Sequence, residues 1–242
     1  MRGYLSLLML GARSTIYKIS GLLLLMGALE TALFYRLLQK GSVHPDGLEG
    51  LIDLSGIPIV CGGAFLVLCL ILSLNGYESG GSKIRYTLQR LSLSEEAIAL
   101  LWSAYYLACF LIFWAVQLSI ILCLGRLYVS AVDPAYINEQ TIFLAFYRNS
   151  FLHSLLPLEE TSRLLRNGTL LLGLSLGAAC LPFKQRRGKR DIAMSFLAVF
   201  TFWVFPQEMG RFGSDAWIWL LALSLAGHSL YYILWGKANE EF

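Results

Sequence analysis

The sequence has 242 residues, of which 57% are hydrophobic and only 14% are charged. Soluble domains usually carry roughly 25% charged residues, so this composition excludes an ordinary soluble domain and indicates a membrane protein with several spans. The formal net charge of +3 does not indicate nucleic-acid binding. Since no polar stretch is long enough for a separate globular core, we expect residues 1–242 to form one all-α transmembrane domain.

Six apolar stretches predict six membrane-spanning helices, because backbone polar groups must be paired within each segment in lipid. The predicted spans cover residues 16–38, 51–74, 97–125, 165–183, 192–207 and 216–235. The segment 1–18 before them is apolar but is interrupted by Arg2, Arg13 and Lys18. It predicts a helix that lies at the membrane interface, and an N-terminal extension of the first span is the alternative.

The basic residues predict the orientation of the chain in the membrane. Most of the 19 Lys and Arg residues fall in the N-terminal segment, in residues 75–96, in residues 184–191 and at the C-terminus. Cytoplasmic loops carry an excess of Lys and Arg, so these segments and both termini are expected in the cytoplasm. Residues 126–164 and the segment after span 5 are then expected on the outer side.

The outer segment 126–164 contains apolar residues near helical spacing, which predicts amphipathic outer helices between spans 3 and 4. These apolar residues are Phe143, Phe146, Tyr147, Phe151 and Leu155. A further helix is predicted directly after Pro157, with Glu159 and Glu160 in its first turn, where the helix dipole favours acidic side chains.

Predicted span 5 is short, since its residues 192–207 reach only about 24 Å as a helix and the membrane core is about 30 Å thick. Helix breakers follow it directly. We therefore predict a re-entrant element on the outer side, and a plain outer loop is the alternative. The element would include Pro206, Glu208, Gly210 and Arg211.

Polar residues inside the predicted spans are candidates for a substrate path, because they are costly in lipid. Glu30, Gln117 and His228 are the three candidates. The alternative is that they form hydrogen bonds between helices, or that Glu30 lies near the outer water boundary. The three histidines have no metal-ligand spacing, and no GxxxxGK[ST] motif for ATP is present in the sequence.

Residues 82–91, between spans 2 and 3, have the pattern of a short amphipathic helix. Ile84, Leu88 and Leu91 recur at i, i+4 and i+7, and basic residues lie between them. The following "SLSE" predicts a capping box, with Ser92 as N-cap and Glu95 three residues later, at the start of span 3. A solvated basic loop is the alternative interpretation of this stretch.

These features resemble the permease subunits of ATP-binding-cassette exporters of type 2. In that family a cytoplasmic helix between spans 2 and 3 docks in a groove of the ATPase subunit. The stretch "RLSLSEE" is similar to the family's arginine-leucine-proline-serine step into span 3, with Ser92 where a proline is often found. The ATPase-docking helix that the resemblance implies includes Lys83, Ile84, Arg85, Tyr86, Leu88, Gln89, Arg90 and Leu91.

The resemblance implies a multi-pass permease subunit in a bacterial plasma (inner) membrane that moves an amphipathic, peptide-like or lipid-like substrate. It implies three partners: an ABC ATPase subunit, which binds ATP and Mg²⁺; a second permease subunit, identical or related; and the lipid bilayer. This chain is expected to bind no cofactor, metal or nucleic acid and to be no enzyme itself.

Two other classes of protein remain open on the sequence. One is an intramembrane enzyme, a protease or a lipid-modifying enzyme, that works without ATP through Glu159, Glu160 or His153. The other is a non-transporting immunity or sensor membrane protein.

Overall fold

The computed structural model describes residues 2–39, 47–78, 95–133, 137–138, 140–158, 160–186, 192–206 and 212–235. All regular secondary structure within these ranges is helical. The helices are α1 (Arg2–Gln39), α2 (Gly47–Leu54), α3 (Ile57–Glu78), α4 (Glu95–Ala131), α5 (Thr141–Arg148), α6 (Ser150–Leu155), α7 (Thr161–Arg186), α8 (Ala193–Val204) and α9 (Phe212–Trp235).

Five of these helices are long and apolar enough to cross a membrane, consistent with a polytopic helical membrane protein. The five candidate spans are Thr15–Gln39, Ile57–Leu74, Glu96–Ala131, Thr161–Gln185 and Asp215–Ile233. Large apolar side chains such as Leu24 and Trp217 are exposed on the outside, while Glu30 and Arg166 are fully buried. This distribution suits lipid, where charged groups are expensive on the outer face of a bundle.

The first helix differs from its prediction. α1 continues from Arg2 to Gln39 without a break, so the prediction of a separate interfacial helix over residues 1–18 is wrong, and the alternative of an extended first helix agrees with the structure. The reason is that no proline interrupts this stretch, and glycine alone does not end a helix here. At 1.5 Å per residue, 38 residues reach about 57 Å, well beyond the membrane core of about 30 Å.

The predicted start of span 2 is also corrected. Residues 51–54 belong to the separate short helix α2, and the chain turns at Ser55 and Gly56 before α3 begins at Ile57. Gly56 has a φ of 71°, a left-handed conformation that glycine adopts without steric cost. α2 packs on the bundle through Leu48, Leu51 and Ile52.

Between α4 and α7, the predicted amphipathic region consists of two short helices. α5 buries Ala145 and Phe146 and exposes Phe143 and Tyr147, and α6 is buried along its length. Asn149 separates them: its Oδ1 accepts a hydrogen bond from the Leu152 amide at 3.1 Å and so caps α6.

The helix predicted after Pro157 begins later. The carbonyl of Glu160 accepts hydrogen bonds from the amides of Arg163 and Leu164 at 3.1 and 3.2 Å, and α7 starts at Thr161. Glu160 therefore precedes the first turn instead of lying in it, while Glu159 is outside the described residues.

Side-chain contacts define the direction of each long helix. Arg166 contacts Asp215 near the starts of α7 and α9, and Lys184 lies over the Tyr232 ring near their ends, so these two helices are parallel. α1 and α4 are also parallel, since Thr15 contacts Tyr105 and Glu30 contacts Gln117. Ser73, near the end of α3, contacts Met194 at the start of α8.

The bundle consequently has two distinct ends. At the first, which we call the basic end, α3, α7 and α9 finish and α4 and α8 start. Four groups of helix ends therefore lie at the basic end: those next to residues 75–96, those next to residues 184–191, and those next to each terminus. The charge pattern predicts the same grouping. The second, which we call the α6 end, carries α2, α5, α6 and the starts of α7 and α9.

α7 is the most buried of the five candidate spans and contacts α3, α4, α8 and α9. Gly173 and Gly177 make its close packing possible. A Cβ added at Gly173 would lie 3.3 Å from the carbonyl oxygen of Ala222, and one at Gly177 would lie 3.4 Å from Met194. Small residues at this spacing let membrane helices approach closely.

α8 is the element that departs most from the predicted six spans. It has 12 residues, which reach about 18 Å, and it is not among the five candidate spans. The parallel direction of α7 and α9 nevertheless means that the chain between them returns from the basic end to the α6 end.

Candidate functional site

A cavity of about 310 Å³ lies inside the bundle, between α3, α4, α6, α7 and α8. Ligand pockets begin at roughly this size. Aromatic rings form a large part of its wall: Phe65, Phe110, Phe113, Trp114, Phe151, Phe202, Trp203 and Phe205. This lining suits an apolar guest.

The cavity reaches the surface of the bundle between α3 and α8. Ile59 and Trp203 both line it, and they are 73% and 59% exposed. Gly62 on α3 lets α8 come close at this position, because a Cβ there would overlap the ring of Phe202.

One wall of the cavity is polar. Gln117 lines the cavity, and its Nε2 donates a hydrogen bond to Glu30 Oε2 at 3.0 Å. Glu30 lies on the buried stripe of α1, between Met26 and Phe34. The Oε1 atoms of both Glu30 and Gln117 are buried and have no hydrogen-bond partner among the described residues. The pair therefore has acceptor capacity that its own contacts leave unused.

A second polar network holds three helices together beside the cavity. Arg166 Nη1 lies 3.0 Å from Asp215 Oδ1, and Arg166 also donates to Asn167 Oδ1 at 3.1 and 3.2 Å. Asn167, which lines the cavity, donates to the carbonyl of Ser154 on α6 at 2.8 Å. Asp215 lies in the first turn of α9, where the helix dipole favours its negative charge.

A third cluster lies where α6 and α7 meet. Arg163 Nε is 2.8 Å from Glu160 Oε2, and His153 Nε2 is 3.9 Å from the same oxygen. Glu160 is 40% exposed, whereas His153 and Arg163 are nearly buried. No group of three or more His, Cys, Asp or Glu side chains that could hold a metal ion occurs in the part of the chain that the structure describes.

The structure brings together two of the three residues predicted for a substrate path. Glu30 and Gln117 contact each other beside the cavity. The contact is a hydrogen bond between two helices, which is the alternative interpretation given above for these residues. His228 is not among the cavity-lining residues; it lies on an exposed face of α9. Pro206, from the predicted re-entrant element, lines the cavity, and its carbonyl accepts a hydrogen bond from Ser150 Oγ at 2.9 Å.

Several predicted residues lie outside the described part of the chain. From the re-entrant element these are Glu208, Gly210 and Arg211. From the docking helix they are Lys83, Ile84, Arg85, Tyr86, Leu88, Gln89, Arg90 and Leu91, together with the predicted N-cap Ser92. Their roles stay predictions.

Sequence reasoning missed the pairing of Arg166 with Asp215. Arg166 lies within the predicted span 165–183 but is not among the polar residues that the sequence singled out there, although its guanidinium is fully buried in α7. The available signal was the pair Arg166–Asn167 directly inside an apolar stretch, where polar residues require partners.

Fold and cavity together define a polytopic helical membrane protein with an aromatic-lined cavity inside its bundle. No family model matches the sequence, and no curated protein or solved structure matches it.

Proposed function

We propose that this chain is the membrane-spanning permease subunit of a type 2 ABC exporter and moves an amphipathic, peptide-like or lipid-like substrate. The observation that carries the proposal is the aromatic-lined cavity, which reaches the lipid-facing surface between two helices. A substrate that is dissolved in the membrane can enter such a cavity from the side, and its apolar part gains the same surroundings that it has in lipid.

The partners follow from the resemblance of residues 75–97 to the family. A separate ATPase subunit would bind ATP and Mg²⁺ and dock on the helix predicted at 82–91, and a second permease subunit would complete the path. The flanks of this segment, at Glu78 and Glu95, belong to helices that meet at the basic end of the bundle. Closure of the ATPase pair would push on this end and move the helices as rigid bodies.

The proposed layout has six crossings in a bacterial plasma membrane, with the basic end and both termini in the cytoplasm. α8, lengthened by the residues on either side of it, supplies the crossing between the parallel helices α7 and α9. The excess of Lys and Arg in the segments at the basic end supports this orientation.

The docking proposal is tested by replacing both Ile84 and Leu88 with Asp and measuring co-purification with the ATPase chain encoded beside this one. We expect binding and stimulation of ATP hydrolysis to be lost, because two carboxylates cannot enter an apolar groove unpaired. Ser82→Asp, in the same stretch but on the opposite helical face from the apolar stripe, is the control and should bind normally. Unchanged binding and stimulation by the Ile84→Asp/Leu88→Asp variant would contradict the proposal.

A membrane enzyme that acts without ATP is the second candidate, because the structure places His153 and Glu160 beside Arg163. Such an enzyme would need at least one of His153, Glu159 and Glu160. Normal export by a variant with alanine at all three positions would reject the enzyme, whereas turnover that persists without any ATPase and is lost in this variant would support it.

A further inference from the structure

We propose that the cavity binds one hydrocarbon chain of an amphiphile, and that the Glu30–Gln117 pair accepts a hydrogen bond from a hydroxyl, amine or amide group on that amphiphile. This inference rests on the proposed function, since it names the class of substrate for the same cavity.

The lining residues support an apolar chain. An enclosed apolar cavity of about 150 Å³ stays dry and binds benzene, and this cavity is about twice that size. Its 310 Å³ correspond to about ten water molecules at roughly 30 Å³ each, which is room for one chain of roughly ten carbon atoms. Water entering it would find few polar partners, because the walls are mostly apolar.

The entrance supports a linear guest that comes from the bilayer. The cavity opens between Ile59 on α3 and Trp203 on α8, both exposed on the bundle surface. Gly62 and the Phe202 ring are packed against each other beside this opening, so α3 and α8 are close together there. A slender chain fits such an entrance better than a fused-ring molecule.

The hydrogen-bond inventory of the lining places the polar group of the guest at Gln117. Among the lining residues, Thr201 already donates to the carbonyl of Leu197, and Asn167 is bonded to Arg166 and to the carbonyl of Ser154. Gln117 is the lining residue with a buried side-chain oxygen that lacks a partner, and Glu30 behind it has a second one. The χ3 torsion of glutamine is broad, so the amide can turn its Oε1 toward a donor.

Two buried acceptors without partners are costly, and a donor on the guest would remove that cost. The side-chain carbonyl oxygen of Gln117 accepts hydrogen bonds and cannot donate them, so the complementary group is a donor and not another carbonyl. The proposed guest is therefore a single chain that ends in, or carries near its end, an O–H or N–H group. A bilayer lipid and an exported amphiphile can both offer this chemistry.

The experiment uses the full chain purified in phosphatidylcholine nanodiscs, with no ATPase and no ATP. Two photoreactive probes are compared, a dodecanol that carries a diazirine on its chain and the corresponding methyl ether, which has no donor. We expect saturable cross-links to lining residues of α3, α4, α7 and α8, and competition by unlabelled dodecanol.

Two variants of neighbouring residues test the location. Leu171 lines the cavity, whereas Leu172 is 44% exposed on the outside of the same helix. Leu171→Trp should fill the cavity and abolish cross-linking by both probes, while Leu172→Trp should leave it unchanged. Equal cross-linking of these two variants would overturn the inference. If Leu171→Trp does not fold, the absence of competition by dodecanol in the unaltered chain overturns it instead.

Gln117→Leu tests the polar contact. We expect the dodecanol probe to need an about fivefold higher concentration for half-maximal cross-linking, as for one lost hydrogen bond, and the methyl ether to be unaffected. An equal effect on both probes, or no effect on either, would overturn the donor assignment.

A phosphatidylethanolamine that carries the same diazirine identifies the source of the guest. If this lipid cross-links to the cavity, the guest is a bilayer lipid. If it does not cross-link while the dodecanol probe does, the guest is a free amphiphile.

The outcomes also separate this inference from the proposed function. Because binding is measured without ATP or ATPase, its failure rejects the chain-binding site and leaves the docking result at Ile84 and Leu88 untouched. Conversely, if the chain binds the dodecanol probe but no ATPase, the site for a hydrocarbon chain is supported and the assignment as an exporter subunit is rejected.

Discussion

Arg166 and Asp215 show how single residues determine helix packing in this protein. Their side chains are 0% and 3% exposed, and they join α7 to α9 inside the protein, where a buried charge without a partner is costly. The guanidinium has three donor nitrogens, and Asp215 and Asn167 together accept from all of them. The arrangement leaves neither charge uncompensated.

Removing one member of this pair should be far more damaging than removing both. We expect Asp215→Ala to lower the free energy of unfolding by about 3–5 kcal/mol, because Arg166 then keeps a buried and uncompensated charge. The double variant Arg166→Met/Asp215→Leu should be close to the unaltered protein in stability. Thermal unfolding in detergent measures both. A double variant that is no more stable than Asp215→Ala would contradict this expectation.

At the scale of helices, Gly62 determines how closely α8 packs on α3. A Cβ at this position would overlap the ring of Phe202, whereas a Cβ at the neighbouring Gly63 would meet no atom within 4 Å. Both glycines lie inside α3, yet only Gly62 is required by a contact. The spacing of α3 and α8 beside the cavity entrance therefore depends on the absence of a side chain at Gly62.

Gly62→Ala should lower the free energy of unfolding by about 1–3 kcal/mol, since the added methyl group displaces the Phe202 ring. Gly63→Ala is the matched control and should be neutral or stabilise by about 0.5–1 kcal/mol, because alanine favours the helix. The midpoint of thermal unfolding distinguishes them. In the double variant Gly62→Ala/Phe202→Ala the clash should be absent, so its loss of stability should be smaller than the sum of the losses in the two single variants. A loss equal to that sum, or greater, would refute this contact.

At the scale of the whole molecule, the parallel direction of α7 and α9 is the main constraint on topology. Arg166 and Lys184 are separated by 18 residues, about 27 Å along α7, and they contact Asp215 and Tyr232 at corresponding ends of α9. The chain therefore leaves α7 at one end of the bundle and enters α9 at the other. α8 alone is about 18 Å long, shorter than the distance between these two contacts along α7.

This geometry predicts that residues 188 and 207 lie on opposite sides of the membrane. In the variants Gly188→Cys and Gln207→Cys, a membrane-impermeant maleimide added to intact cells should label only the cysteine at 207, and labelling at 188 should require permeabilised cells. The chain with its native cysteines alone is the control for background. Labelling of both positions from the same side would contradict a sixth crossing.

Much of the architecture was predictable because it depends on local properties of the chain. Apolar stretches of span length predicted the cores of α3, α4, α7 and α9, and the basic segments correctly grouped the helix ends that meet at the basic end. Where local signals were ambiguous, the predictions were wrong. The break at Gly56 depends on one left-handed residue within an apolar run, and the unbroken α1 depends on the weakness of glycine as a helix breaker.

The sequence by itself determined that this is a helical membrane protein and that Glu30 and Gln117 are polar residues within its spans, because hydrophobicity and charge act locally. Only the tertiary structure decided which groups meet. Glu30 and Gln117 are 87 positions apart, Arg166 and Asp215 are 49 apart, and the cavity takes side chains from five helices. Such contacts depend on the direction, rotation and spacing of packed helices, which the periodicity of one helix does not specify.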